Sequence, residues 1–278
     1  MSLFALPFIC GILLSAGSMP FLIGLARRMG IVDNPAHRKI HSHPTPYLGG
    51  LGIVLGFVLG PSIYYYFYRV HSMPNDRARF AVIVGPALAA TILGLFDDQR
   101  PIKARVKLMI QAAIVLLFVY FGFKIELIEF PGLSAYGLFE FESIPITAMW
   151  MLAVINGLNL IDGVDGLAAT VMAVIYATIA VLALLLDQPD WLVAVIAISA
   201  MGATLGFLFF NWQPARIYMG DAGSMANGML IATLLVALGQ HKLGGAVVAN
   251  DGEIIIKPYS YQFAKMTLVA FYPLMEMR

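Results

Sequence analysis

Apolar residues run along the chain in blocks of about twenty, separated by short polar segments, and the alternation repeats from one end to the other. A helix that crosses the hydrocarbon of a bilayer needs roughly 17–25 mostly apolar residues. Nine stretches meet or approach that length: 3–25, 48–68, 80–96, 106–123, 146–161, 167–186, 191–210, 225–239 and 261–275. The fifth, eighth and ninth are short. The pattern therefore predicts an all-α polytopic membrane protein with about nine transmembrane helices. Two intervening stretches, 124–145 and 240–260, hold Gly, Pro and alternating apolar residues and are compatible with short periplasmic β-hairpins. The first block has no basic segment ahead of it and continues to Leu25 before Arg27 and Arg28 stop it. It reads as an uncleaved span rather than a signal peptide.

Composition agrees: 60% of residues are apolar and 12% charged, with a mean hydropathy of +0.83. A soluble domain carries about 25% charged residues, so most of this chain belongs in lipid. The net charge of +1 gives no reason to expect a nucleic acid or other polyanion as partner. The single cysteine, Cys10, allows no internal disulfide. No repeat or polar linker divides the chain, so 1–278 reads as one transmembrane domain.

Parity sets an orientation. With the amino terminus outside, the inside segments carry Arg27, Arg28, Arg38, Lys39, Arg100, Lys103, Arg105, Arg216 and Arg278, with Lys107 at a helix mouth. The outside carries Arg69, Arg77, Arg79, Lys124, Lys242 and Lys257. The excess of inside cations favours this threading, which also puts Asp97, Asp98, Asp162, Asp165 and Asp221 on the inside face.

A carboxylate at membrane depth is costly and marks function with a nearby partner. Asp162 and Asp165 lie in a segment that also holds Asn156, Asn159 and glycines 157, 163 and 166. Three apart, they share a face if the segment is helical; the plainer reading is an Asp-Gly turn. Asp97 and Asp98 end a helix pattern and point about 100° apart, which suits separate jobs, or else they form a solvated helix end. In Gly220-Asp221-Ala222-Gly223-Ser224 an acid and a serine precede an apolar helix, suiting either a cap or a phosphate at a helix N-terminus. The stretch from Asn211 to Tyr218 supplies amide donors and a ring, a frame for a planar base, although Tyr218 also suits an interfacial aromatic. His37, His41 and His43 with Arg38 and Lys39 suit an anion better than a metal, or else a basic loop against anionic headgroups. Five acids on one face favour a hard cation, Mg²⁺ or Mn²⁺, held by one or two carboxylates plus substrate phosphates. That chemistry points to phosphoryl transfer at the inner membrane surface.

With these residues assembled, the chain resembles the polyprenyl-phosphate N-acetylhexosamine-1-phosphate transferases, relatives of the phospho-N-acetylmuramoyl-pentapeptide transferase. The likeness rests on Arg38-Lys39-Ile40-His41 with Pro46-Tyr47-Leu48-Gly49-Gly50, on 94–98, on 156–168 and on 211–228. It implies a multi-pass enzyme of the bacterial inner membrane, often dimeric, with a cytoplasmic active site. The reaction joins a HexNAc-1-phosphate from a UDP-N-acetylhexosamine to undecaprenyl phosphate and releases UMP. By resemblance Asp221 is a magnesium ligand, joined by Asp98, and Asp97 and Asp98 are essential for catalysis, with Asp162 and Asp165 beside them. Lys39, His41, Asn156, Asn159, Asp162, Asp165, Asn211 and Tyr218 then form the nucleotide-sugar pocket, where the family usually has Phe in place of the Tyr. Lys107 suits the lipid phosphate. Family members continue into a cytoplasmic histidine-rich loop, whereas this chain stops at 271–278, where that loop should begin; it is expected to be truncated there.

The acceptable amino sugar is left open, with GlcNAc first, as are the glycan (O-antigen, capsule, teichoic acid) and the choice between one-step displacement and an aspartyl-phosphate. A CDP-alcohol phosphotransferase needs Arg where Thr170 stands, and an intramembrane aspartyl protease needs a Gly where Tyr218 stands. A transporter using the acids for ion coupling predicts paired, interrupted helices with inverted symmetry. No such repeat occurs in the sequence.

Overall fold

Each apolar block before residue 241 forms one helix, because a backbone in lipid must satisfy its hydrogen bonds within the segment. The structure, a computed structural model, describes residues 2–33, 44–68, 76–128, 136–186, 188–240, 246–248 and 254–256. Its helices are α1 (Ser2–Met29), α2 (Gly49–Phe67), α3 (Asp76–Gln99), α4 (Ala104–Tyr120), α5 (Glu140–Leu160), α6 (Leu167–Leu184), α7 (Trp191–Asn211) and α8 (Gly220–Gln240). All but α4 are long and apolar enough to cross a membrane, and α4, at 17 residues, falls just short. The protein is an all-α polytopic membrane protein. The expected ninth span lies outside the described residues, as do Lys39 and His41.

Two of the helices read as short prove longer than their apolar windows. Helices α5 and α8 are each 21 residues, because Glu140 and Glu142 belong to the first turn of α5 and Asp221 to that of α8. Acids there sit well at the positive end of the helix dipole. The two stretches read as hairpins do pair: β3 (Leu127–Ile128) with β4 (Tyr136–Gly137), and β5 (Ala246–Val248) with β6 (Ile254–Ile256), both antiparallel. A third pair, β1 (Val32–Asp33) with β2 (Thr45–Pro46), was not foreseen. Two-residue strands, one of them ending in Pro, carry no period to read.

Helix α8 is the centre of the bundle, with every residue from 222 to 238 buried. A helix apolar on all sides is stable only when surrounded, and α3, α5, α2 and α6 pack around it. Association in lipid relies on close van der Waals approach, which small residues permit. A Cβ on Gly50 would fall 2.2 Å from the Cα of Gly223, and one on Gly94 would fall 2.4 Å from the Cα of Ala222. Polar ties reinforce the packing. Thr233 Oγ1 donates to the carbonyl of Ile83 at 3.0 Å and the Tyr176 hydroxyl to Asn227 Oδ1 at 2.9 Å. Because successive helices run antiparallel, the ends that meet are the starts of α2, α4, α6 and α8 and the finishes of α3, α5 and α7. The candidate residues come from these ends.

Candidate active site

The first turn of α8 leaves backbone amides without helical partners. Asp98, at the end of α3, accepts from the Asp221 amide at 2.8 Å through Oδ1 and from the Ala222 amide at 3.1 Å through Oδ2. It therefore caps α8 from another helix, where the local sequence suggested Asp221 or Ser224 in that role. The preceding Gly220 has φ 73°, and a Cβ there would lie 2.8 Å from Asp98 Oδ2 and 2.9 Å from the Tyr47 carbonyl. Glycine is needed at this turn for conformation and for space alike. With both Asp98 oxygens on main-chain amides, this carboxylate holds the turn that presents Asp221. In this arrangement it does not stand beside Asp221 as a second open ligand.

Asp221 meets a cation. Lys107 Nζ, from the first turn of α4, lies 2.6 Å from Asp221 Oδ2 and 2.6 Å from Asp97 Oδ2. The other oxygens are also engaged: Asp97 Oδ1 accepts from the Ile102 amide at 2.6 Å, and Asp221 Oδ1 from Asn159 Nδ2 at 3.0 Å. Asn159 Nδ2 donates to Ser224 Oγ as well, at 2.7 Å. Asp97 is only 9% exposed and Asp221 32%, so the Asp221 side is the one open to a ligand. One turn deeper, Asn156 Nδ2 donates to Gln111 Oε1 at 3.0 Å, and Gln111 Nε2 lies 3.3 Å from Met225 Sδ. Gln111, fully buried, is a member of the site that sequence reasoning missed. Its signal was present: an amide four residues after Lys107, on the same helical face of an otherwise apolar segment.

The segment after α5 is not helical, so the three-residue spacing of Asp162 and Asp165 does not put them on one face. Residues 161–166 form turns, and Gly166 takes φ 74°. Asp162 remains with the acidic group. Burial first, then the charges of Asp221 and Asp98, push its carboxyl well above the usual carboxylate range. Asp165 turns away: its Oδ2 accepts from the Ala215 amide at 3.0 Å. Asn211 acts in the same brace, accepting from the Gly166 amide at 2.9 Å and donating to the Ile217 carbonyl at 2.9 Å. Asp165 and Asn211 thus tie the α5–α6 turn to the α7–α8 loop. Tyr218 joins this loop to the start of α2: its amide donates to the Pro46 carbonyl at 2.8 Å and its carbonyl accepts from Gly49 at 3.0 Å.

Among the described residues, no three His, Cys, Asp or Glu side chains are gathered tightly enough to hold a metal alone. The donor chemistry nevertheless fits Mg²⁺ or Mn²⁺. Two carboxylate oxygens from different helices already converge on one cation, and Mg²⁺ is usually held by one or two carboxylates with substrate oxygens completing the shell.

A family described as glycosyl transferase family 4 matches residues 80–239. The chain is 34% identical over 223 residues to a probable undecaprenyl-phosphate N-acetylglucosaminyl 1-phosphate transferase of Bacillus subtilis, covering 80% of this chain and 59% of that protein. It is 31% identical over 271 residues to a decaprenyl-phosphate N-acetylglucosaminephosphotransferase of Mycobacterium tuberculosis, covering 91% and 64%. It is also 31% identical over 273 residues to a phospho-N-acetylmuramoyl-pentapeptide-transferase of Geobacillus sp., covering 92% and 82%. The chain thus spans less than two thirds of the first two relatives.

Proposed function

The chain belongs to glycosyl transferase family 4, and on that premise we propose that it transfers a HexNAc-1-phosphate from a UDP-N-acetylhexosamine to a polyprenyl phosphate such as undecaprenyl phosphate, releasing UMP. The product starts a cell-surface glycan, with GlcNAc as the first candidate sugar. The observation that carries the reading is the pair of carboxylates, Asp97 and Asp221, drawn onto one cation at the open end of a membrane bundle.

An oxygen of the acceptor phosphate attacks the sugar-bearing phosphorus. The new P–O bond forms as the bond to the UMP oxygen breaks, and the electron pair leaves with UMP. Such transfers depend mostly on positioning and on offsetting charge. Asp98 fixes the turn bearing Asp221, and Asn159 orients the Asp221 carboxylate. Asp162, whose surroundings raise its affinity for a proton above that of an ordinary carboxylate, acts in its ionised form and takes the last proton from the acceptor phosphate, whose second pKa near 6 makes that transfer undemanding. The brace of Asp165 and Asn211 shapes the loop in which the nucleotide lies. Bound Mg²⁺, on Asp221, would draw charge from the diphosphate oxygens.

The site end carries Arg27, Arg28, Arg100, Lys103, Arg105 and Arg216. That excess supports a cytoplasmic active end and an external amino terminus. The test is purified protein with Mg²⁺, undecaprenyl phosphate and a panel of radiolabelled UDP-sugars. Lipid-linked product with stoichiometric UMP is expected; absence of both across the panel rejects the reading.

A further inference from the structure

Lys107 differs from the other charged groups of the site in how it is held. From 104 to 110 every residue of α4 is exposed except Lys107, which is half-buried. The first two turns of α4 are therefore fastened to the bundle through this ammonium, with Gln111 fastening the next turn. Asp221 and Asp97, by contrast, are fixed. Asp221 stands in the first turn of α8, which is buried from 222 to 238, with that turn capped by Asp98, and Asp97 is pinned by the Ile102 amide. A flexible four-carbon stem thus places a monovalent cation between two immobile carboxylates.

We propose that Lys107 is the site's built-in counter-ion. It occupies the place beside Asp221 that a divalent cation takes, so that cation binding displaces it and frees its ammonium for phosphate oxygens arriving there. This rests on the proposed function for the identity of the phosphate, but not for the exchange. Like charges a few ångströms apart, partly out of water, disfavour each other strongly. An ammonium at 2.6 Å from Asp221 therefore opposes a second cation on the same oxygen. Its function is to keep the carboxylates paired before substrate arrives and to set how tightly metal is held.

The experiment is Mn²⁺ titration by electron paramagnetic resonance on the full chain in nanodiscs, without substrates. Lys107→Met should bind Mn²⁺ about tenfold more tightly than wild type, or better still, whereas Lys107→Arg, which keeps the charge, should stay within about threefold. Equal or weaker binding by Lys107→Met overturns the proposal. Because losing the ammonium leaves two carboxylates facing each other, thermal melting with and without Mn²⁺ is the second measurement. The gain in midpoint from Mn²⁺ should be larger in Lys107→Met than in wild type, and an equal or smaller gain again overturns it. Wild type that makes lipid-linked product while Lys107→Met leaves Mn²⁺ affinity unmoved removes the exchange and keeps the proposed reaction. Tighter Mn²⁺ binding by the variant, with no product from wild type on any UDP-sugar, does the reverse.

Discussion

Helices α8 and α4 each deliver one charge to the same place, and they are built in opposite ways. Helix α8 is buried on every side from 222 to 238, and its first turn is capped by Asp98 from α3. Helix α4 buries only Gln111, Val115, Phe118 and Val119, and presents Leu108, Met109 and Leu117 outward. A carboxylate on the first is placed by packing, while an ammonium on the second is placed by the carboxylates it meets. Rigidity and adaptability are thus divided between two helices of one bundle. Under the proposed function the site holds a dication in fixed geometry and also admits phosphates, and that division serves both.

The contrast can be broken most severely at Asp221. If α8 supplies the cation ligand, Asp221→Asn should lower lipid-linked product about 10³-fold, several kcal/mol of charge stabilisation being at stake; near wild-type turnover in a radiolabel assay would remove Asp221 from the chemistry. Next comes the packing of α8. Gly50→Ala should destabilise by about 1–3 kcal/mol, since its methyl would meet the Cα of Gly223 at 2.2 Å. Gly85→Ala, on α3 with nothing within 4 Å of the added carbon, should gain about 0.5–1 kcal/mol from helix propensity. Melting the two variants side by side in detergent checks the sign.

A smaller effect is expected at the amide layer. Gln111→Leu should destabilise by about 0.5–1.5 kcal/mol, because Asn156 Nδ2 loses one of its two acceptors and keeps only the Leu152 carbonyl. Titration offers a subtler measurement. Asp162 keeps its proton where an ordinary aspartate has lost it. The associated stability is fully present below the ordinary carboxylate pKa and is lost as pH rises through the raised one. In chelator, the wild-type melting temperature should therefore decline across that rise, and Asp162→Asn should flatten the slope. An unchanged slope would place the burial elsewhere. The smallest effect belongs to the outer face of α4, where Met109→Ala should change stability by no more than about 0.5 kcal/mol.

The helices were legible because lipid leaves the backbone little choice, and each apolar block up to residue 240 became a helix. Their starts were not, since a hydropathy window stops at Glu140 or Asp221 whereas a helix welcomes an acid in its first turn. Within the site, Asp97, Lys107 and Asp221 could be singled out as charges too costly to lie idle in a membrane. Their pairing could not, and neither could the membership of Gln111, one amide in an apolar run. Asp165 and Asp162 have nearly identical Asp-Gly surroundings in sequence, yet one braces a loop and the other joins the acidic group.

Sequence by itself determined that this is a helical membrane protein, with its unusual carboxylates bunched between spans, because hydrophobic length and backbone hydrogen bonding are local properties. Only the tertiary structure decided what each carboxylate does. Asp98 caps a turn 123 residues away and Lys107 pairs with an acid 114 residues away. A carboxylate's role follows from the donors that reach it, and those donors arrive on other helices.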